Sequence, residues 1–232
     1  MSIISWNCWG LRNLRTIHAL EKVVSKEEPD IVFLMKTKVD KKEWINKVKE
    51  RCKLKHGVFV LSNGNSGGLA LFWKDGVTLD VQLYAYDHID AWIDDGLGIG
   101  WWHLTGFYGN PEMGRRPESW AKLKFLKNSS SLPWLVIGDF NEIIGLSEKE
   151  GGRIRPKRQM ELFLEVLIFV LLRIWGMWGR DLLGYFNKGM VFRLERDWIE
   201  PWGVRIGWFF SQGHHYTIYL LRSLTIPLYP YT

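Results

Sequence analysis

Residues 134–141 read WLVIGDFN, and this stretch decides the architecture. Trp134, Leu135, Val136 and Ile137 form an apolar run of strand length that ends at Gly138 and Asp139, the pattern of a buried strand delivering polar residues to a sheet end. Working outward, residues 119–127 read as a helix, 129–131 as a loop and 157–171 as a second helix. Residues 2–6 form a short apolar strand candidate. Residues 15–26 follow it with Ile17, Leu20, Val23 and Val24 at helical spacing. Pro29 precedes another apolar run of strand length, 30–35, and residues 41–52 alternate charge with Trp44, Ile45 and Val48 like an exposed helix. The opening order is therefore β-α-β-α. From Gly57 the texture changes to short β-like segments, 58–61, 68–73, 77–84, 91–93 and 101–108, separated by Asn-Gly, Asp-Gly and Gly-Gly turn signals that predict antiparallel hairpins. Elements mixed in this order predict an α/β sandwich, with two sheets packed face to face and helices outside.

Composition narrows the possibilities. The chain has 232 residues, 47% hydrophobic and 24% charged, enough to bury one core without staples. Two cysteines, Cys8 and Cys52, make no disulfide framework, and nothing before Ser5 resembles a secretory leader. These features predict an intracellular, reducing location, nuclear or cytoplasmic. The longest apolar run, 162–175, is interrupted by Glu165 and Arg173 and falls short of the roughly 20 residues that cross a bilayer, so no membrane partner is expected. The net charge of +6 favours polyanionic partners, a weak signal shared by many proteins that never touch nucleic acid.

Three short segments could carry chemistry. Asp139 and Asn141 are spaced by two, so on a continuing strand a carboxylate and an amide would project together. Carboxylate oxygens are the hard ligands Mg²⁺ requires, and an amide can hold a phosphate oxygen or an attacking water. An Asx-type turn closing the strand is the competing reading. In SWNCWG, residues 5–10, the Asn7 amide could reach a metal or phosphate at the sheet edge, or bond its own loop. In FYGNP, residues 107–111, Tyr108 ends a strand where its hydroxyl could meet phosphate, or could sit buried and satisfied.

Taken together and in order, the segments SWNCWGLRN, PDIVFLMKTK, SGGLALFW, FYGNP, WLVIGDFNEI and EKEGGRIRPKRQM resemble the endonuclease/exonuclease/phosphatase superfamily, and within it most nearly the endonuclease domain of plant LINE-type retroelements. The likeness covers about residues 2–167. It implies a DNase I-like two-sheet sandwich flanked by helices, and a phosphodiesterase that hydrolyses DNA with Mg²⁺ or Mn²⁺ and no small-molecule cofactor. By that resemblance Asn7 would help hold the metal region, Tyr108 would contact the scissile phosphate, and Asp139 with Asn141 would orient the attacking water. The basic residues Arg153, Arg155, Lys157 and Arg158 would contact DNA. The family places a metal-ligating glutamate beyond the FLM-type strand, and this chain has Lys36 there. An ammonium has no lone pair and repels a cation, so ordinary Mg²⁺ affinity should be lost.

The family also has a later RLDR-like segment and a C-terminal Ser-Asp-His, and neither occurs here. Residues 171–232 hold four acidic residues, Asp181, Glu195, Asp197 and Glu200, yet five tryptophans. Read one nucleotide earlier, synonymous codons exist for which residues 197–208 become LDRALGSSDW and residues 222–228 become ITDHSP. Both are family-like and in family order. Residues 1–167 are therefore expected to form the endonuclease-like domain, incomplete at its C-terminal side, and 168–232 an out-of-frame tail that leaves apolar surface and strand edges uncovered. Three functions follow: a family endonuclease whose copy is inactive, a residual nucleic-acid-binding module, or a superfamily phosphatase acting on a small phosphorylated substrate.

Overall fold

The computed structural model describes residues 1–64, 66–94, 96, 100–132, 134–143, 146, 154–172, 189–193, 210–211 and 217–221. The first half alternates β1 (Ser2–Asn7), α1 (Leu14–Glu27), β2 (Ile31–Met35) and α2 (Lys42–Arg51). It continues as β3 (His56–Val60), β4 (Leu69–Trp73), β5 (Thr78–Tyr84), β6 (His88–Asp94) and β7 (Trp102–Tyr108). Then come α3 (Arg116–Asn128), β8 (Trp134–Asp139) and α4 (Lys157–Leu172), followed by β9 (Gly189–Arg193), β10 (Phe210–Ser211) and β11 (Thr217–Leu221). Two sheets result, one ordered β10-β9-β1-β2-β4-β3 and the other β11-β8-β7-β6-β5, with β1 parallel to β2 and β7 parallel to β8. This is the two-sheet sandwich that the sequence predicts.

Strand periodicity explains how the layers close. Ile3, Ile31, Phe33, Met35, Leu69 and Leu71 face Ile89, Ala91, Leu104, Leu135 and Ile137 across the two sheets. The alternate residues Ile4, Val32, Leu34, Ala70 and Phe72 pack outward on Ile17, Leu20, Ile45 and Val48 of the helices. On the other flank, Phe107, Trp134 and Val136 pack on Trp120, Leu123 and Phe163. Both faces of the central strands are apolar because both are covered.

Three departures from the sequence reading have physical causes. The third helix begins at Arg116 rather than 119, since Pro117 falls in the first turn, where its missing N–H costs nothing. β6 spans seven residues rather than three because its polar members are satisfied inside: Asp90 accepts from the Thr105 hydroxyl and pairs with His103 Nε2 at 2.7 Å. Trp134 completes that knot, its indole N–H donating to Thr105 Oγ1 at 2.7 Å. Finally, β1 and β8 are not left with open edges. β9 lies antiparallel along β1 and β11 antiparallel along β8, through ladders that use backbone groups and demand no particular side chains. Cys8 and Cys52 are free, buried thiols, and among the described residues no helix is long and apolar enough to cross a membrane.

Candidate active site at the strand ends

The two parallel strand pairs finish at the same end of the sandwich. Asn7 is in register with Met35, and Tyr108 with Asp139, so four strand termini converge there. Glycine makes the approach possible. Gly138 has φ +143°, and a Cβ there would lie 1.8 Å from the carbonyl oxygen of Phe107, so only a bare backbone lets β8 close on β7.

Asp139 is the hub, and its two oxygens divide the work. Oδ1 accepts the backbone N–H of Asn141 at 2.9 Å, which is the Asx-type turn foreseen as the competing reading. Oδ2 accepts from the Asn7 side-chain amide at 2.9 Å and lies 3.7 Å from the ammonium of Lys36. The backbone N–H of Asp139 points at Met35 Sδ, 3.2 Å away. Asn141 has φ +54°, so the strand's period of two does not continue to it. Its amide nitrogen instead donates to the Gly109 carbonyl at 2.6 Å, and its side chain hydrogen-bonds Tyr108. Asn7, Lys36, Tyr108, Asp139 and Asn141 therefore form one constellation.

Lys36 is held on more than one side. Its ammonium sits 4.2 Å from the centroid of the Trp9 ring and 5.3 Å from that of Tyr108, and Lys38 Nζ lies 6.0 Å from the Trp9 centroid. Trp9 and Lys38 were not singled out by the sequence reading, and no spacing rule marks them. The only cue is a tryptophan beside a glycine just past a strand, and here Trp9 adopts φ +53° and leaves 61% of itself exposed.

Behind the site, Glu142 is a buried anchor that sequence reasoning also missed. It receives Arg116 Nη1 at 2.7 Å and lies 3.5 Å from Arg155 Nε. Of the basic residues assigned to DNA, Arg155 is thus turned partly to this anchor. Lys157 pairs with Glu161 one helical turn on, Arg158 is exposed at the start of α4, and Arg153 lies outside the described residues.

Burial pushes the Tyr108 hydroxyl up to about 12, the Asp139 carboxylate adds to the shift, and the Asn141 hydrogen bond opposes it. The phenol is therefore a neutral proton donor throughout the physiological range. Because the folded value exceeds the unfolded one near 10, this contribution to stability is complete below about pH 10 and is lost as pH rises through about 12. Between those limits the Tm of the wild type should fall more steeply than that of Tyr108→Phe, as thermal melts at stepped pH would measure.

The described residues at these strand ends do not fit a divalent cation. Among the described residues no group of three or more His, Cys, Asp or Glu side chains is placed to hold a metal. Oδ2 of Asp139 is already shared by the Asn7 amide and the Lys36 ammonium.

Comparison with known proteins agrees with this architecture. The Endonuclease/Exonuclease/phosphatase family profile matches residues 4–217, and the chain belongs to that family. No curated protein sequence matches significantly. Among solved structures, the AP endonuclease of Leishmania major aligns with a TM-score of 0.55 at 15% identity, covering 73% of this chain and 66% of that one, just under two thirds of its length. An AP endonuclease from Archaeoglobus fulgidus gives 0.54 at 16% identity, covering 79% and 80% of the two chains. A 3'-5' exonuclease of Neisseria meningitidis gives 0.56 at 17%, covering 73% and 71%. The shared fold is the DNase I-like sandwich.

Proposed function

We propose that this chain derives from the DNA endonuclease of a LINE-type retroelement, and that this copy does not hydrolyse phosphodiester bonds. The family assignment and the DNA-processing names of the structural neighbours support DNA as the partner. One observation carries the loss of chemistry: the Lys36 ammonium lies 3.7 Å from Asp139 Oδ2, where Mg²⁺ or Mn²⁺ would need that oxygen. At about 4 Å and an effective dielectric of about 20, two unit charges interact by about 4 kcal/mol. At the same separation a divalent ion would meet roughly twice that as repulsion from the Lys36 ammonium. Moving the ammonium away forfeits its contacts with Trp9 and Tyr108.

By the family resemblance, Asp139, Asn141 and Tyr108 would place the attacking water and the phosphate. The ion that would acidify the water and a late Asp-His pair that would take its proton are what this copy lacks. The proposal includes an out-of-frame origin for residues 168–232, whose strands β9 and β11 pair with β1 and β8 through backbone ladders. The family profile matches as far as residue 217, and the coding DNA decides between that continuity and an out-of-frame origin. A nuclear or cytoplasmic location is part of the same proposal.

Supercoiled plasmid incubated with the purified chain in Mg²⁺ or Mn²⁺ should stay supercoiled. Ion-dependent nicking that is lost in Asp139→Ala would overturn the proposal.

A further inference from the structure

The misfit between this pocket and a divalent ion has a positive side. We propose that Lys36 stands in for the ion, so that the pocket binds a phosphate of single-stranded nucleic acid without metal while Trp9 stacks on the adjoining base. The inference rests on the non-hydrolytic reading above and adds a ligand class, a mode of binding and two residues, Trp9 and Lys38.

Charge comes first. Among the described residues here, Lys36 and Lys38 supply two positive charges around Trp9 beside the one negative charge of Asp139, so this strand end is locally cationic. Asp139 does not confront a phosphate bare: one oxygen takes the Asn141 backbone N–H, and the other faces the Asn7 amide and Lys36. An ammonium has three N–H donors, and the one directed at Asp139 leaves others for a phosphate oxygen. Tyr108, neutral and at the same strand end, provides a hydroxyl donor.

The aromatic ring fixes the kind of strand. Trp9 is held in a left-handed backbone conformation and is 61% exposed although the Lys36 ammonium lies over its ring, so the indole surface that Lys36 does not cover is offered beside two ammonium groups. A base paired and stacked within a duplex has no free face for that ring, whereas an unpaired base does.

Fluorescence anisotropy of a labelled single-stranded oligonucleotide with the full chain in EDTA tests the proposal. Binding should appear in EDTA and gain nothing from added Mg²⁺, which as a phosphate counterion can only weaken it. Lys36→Gln should weaken it roughly tenfold and lower the log–log salt slope by about 0.7, the release expected for one lost phosphate contact on a single strand. Trp9→Ala should weaken it roughly tenfold while Trp9→Phe retains most of the affinity. Lys36→Arg, which preserves the charge, guards against misreading a folding defect, and melting curves of every variant accompany the titrations.

Binding that appears only with Mg²⁺ would overturn the proposal, as would affinity indifferent to both Lys36→Gln and Trp9→Ala. Equal or tighter binding to blunt duplex, or competition by inorganic phosphate as effective as that by the strand, would refute the stacking role of Trp9. Plasmid nicking bears only on the non-hydrolytic reading, and EDTA binding only on this one, so the two failures are separable.

Discussion

Lys36→Glu should raise the affinity of these strand ends for divalent ions without making the chain a nuclease. The substitution changes the local charge by minus two and removes the ammonium 3.7 Å from Asp139 Oδ2. Two carboxylates would then face one another across the strand ends, the hard oxygen donors that Mg²⁺ and Mn²⁺ select. Without metal the variant should be less stable than the wild type, because like charges at such range oppose one another. With Mn²⁺ at about 100 times its dissociation constant the native state gains about 2.7 kcal/mol. For a chain of this size that corresponds to a rise of roughly 5–10 °C in Tm. The wild type should show no such rise. The gain should shrink as pH falls through the carboxylate range, since only the deprotonated acids hold the ion. Plasmid should remain uncut, because ion binding alone provides no group to accept the water's proton. Nicking by Lys36→Glu would mean that a functional base survives in the chain and that the tail is not out of frame.

Among the described glycines, Gly138→Ala should be the most damaging substitution. Its added methyl would lie 1.8 Å from the Phe107 carbonyl oxygen and 2.8 Å from that carbonyl carbon, both rigid backbone atoms of β7. Backbone strain at φ +143° adds to the collision. Strain of about 1–3 kcal/mol and overpacking of about 1–3 kcal/mol together give roughly 2–6 kcal/mol, a large part of a typical domain's stability. Gly76→Ala is the natural control: φ is +85°, but the new methyl meets nothing within 4 Å, so only the backbone term remains. Chemical denaturation of both variants should place Gly138→Ala well below Gly76→Ala, and equal losses would contradict the close approach of β7 and β8.

Much of this was legible in the residues because burial on two faces leaves a strong imprint. The runs 31–35, 69–73 and 134–137 are apolar without alternation, and no exposed strand can be. Asp139, Asn141, Tyr108 and Asn7 were legible as polar residues at strand ends, and the structure gathers them. What escaped has a common cause. The Asp90, His103 and Thr105 knot looks like surface chemistry until each group is seen to satisfy another inside the sheet. Glu142 and Arg116 are 26 residues apart in sequence, and only the turn after β8 brings them together. Trp9 depends on a single left-handed residue to place its ring over Lys36, and a one-dimensional pattern carries no such torsion. Arg155, read as a hand for DNA, is partly occupied by that same glutamate.

The clamp around Glu142 carries one more implication. It fastens the segment just past Asp139 to the beginning of α3 and to the approach to α4 through charges the polypeptide itself supplies. Lys36 does likewise for the carboxylate in front of it. This end of the sandwich therefore carries counter-charges of its own and is already arranged before any visitor arrives. A strand docking there would meet a finished surface and lose little freedom in shaping it, and scarcity of magnesium in the surroundings would leave that surface intact.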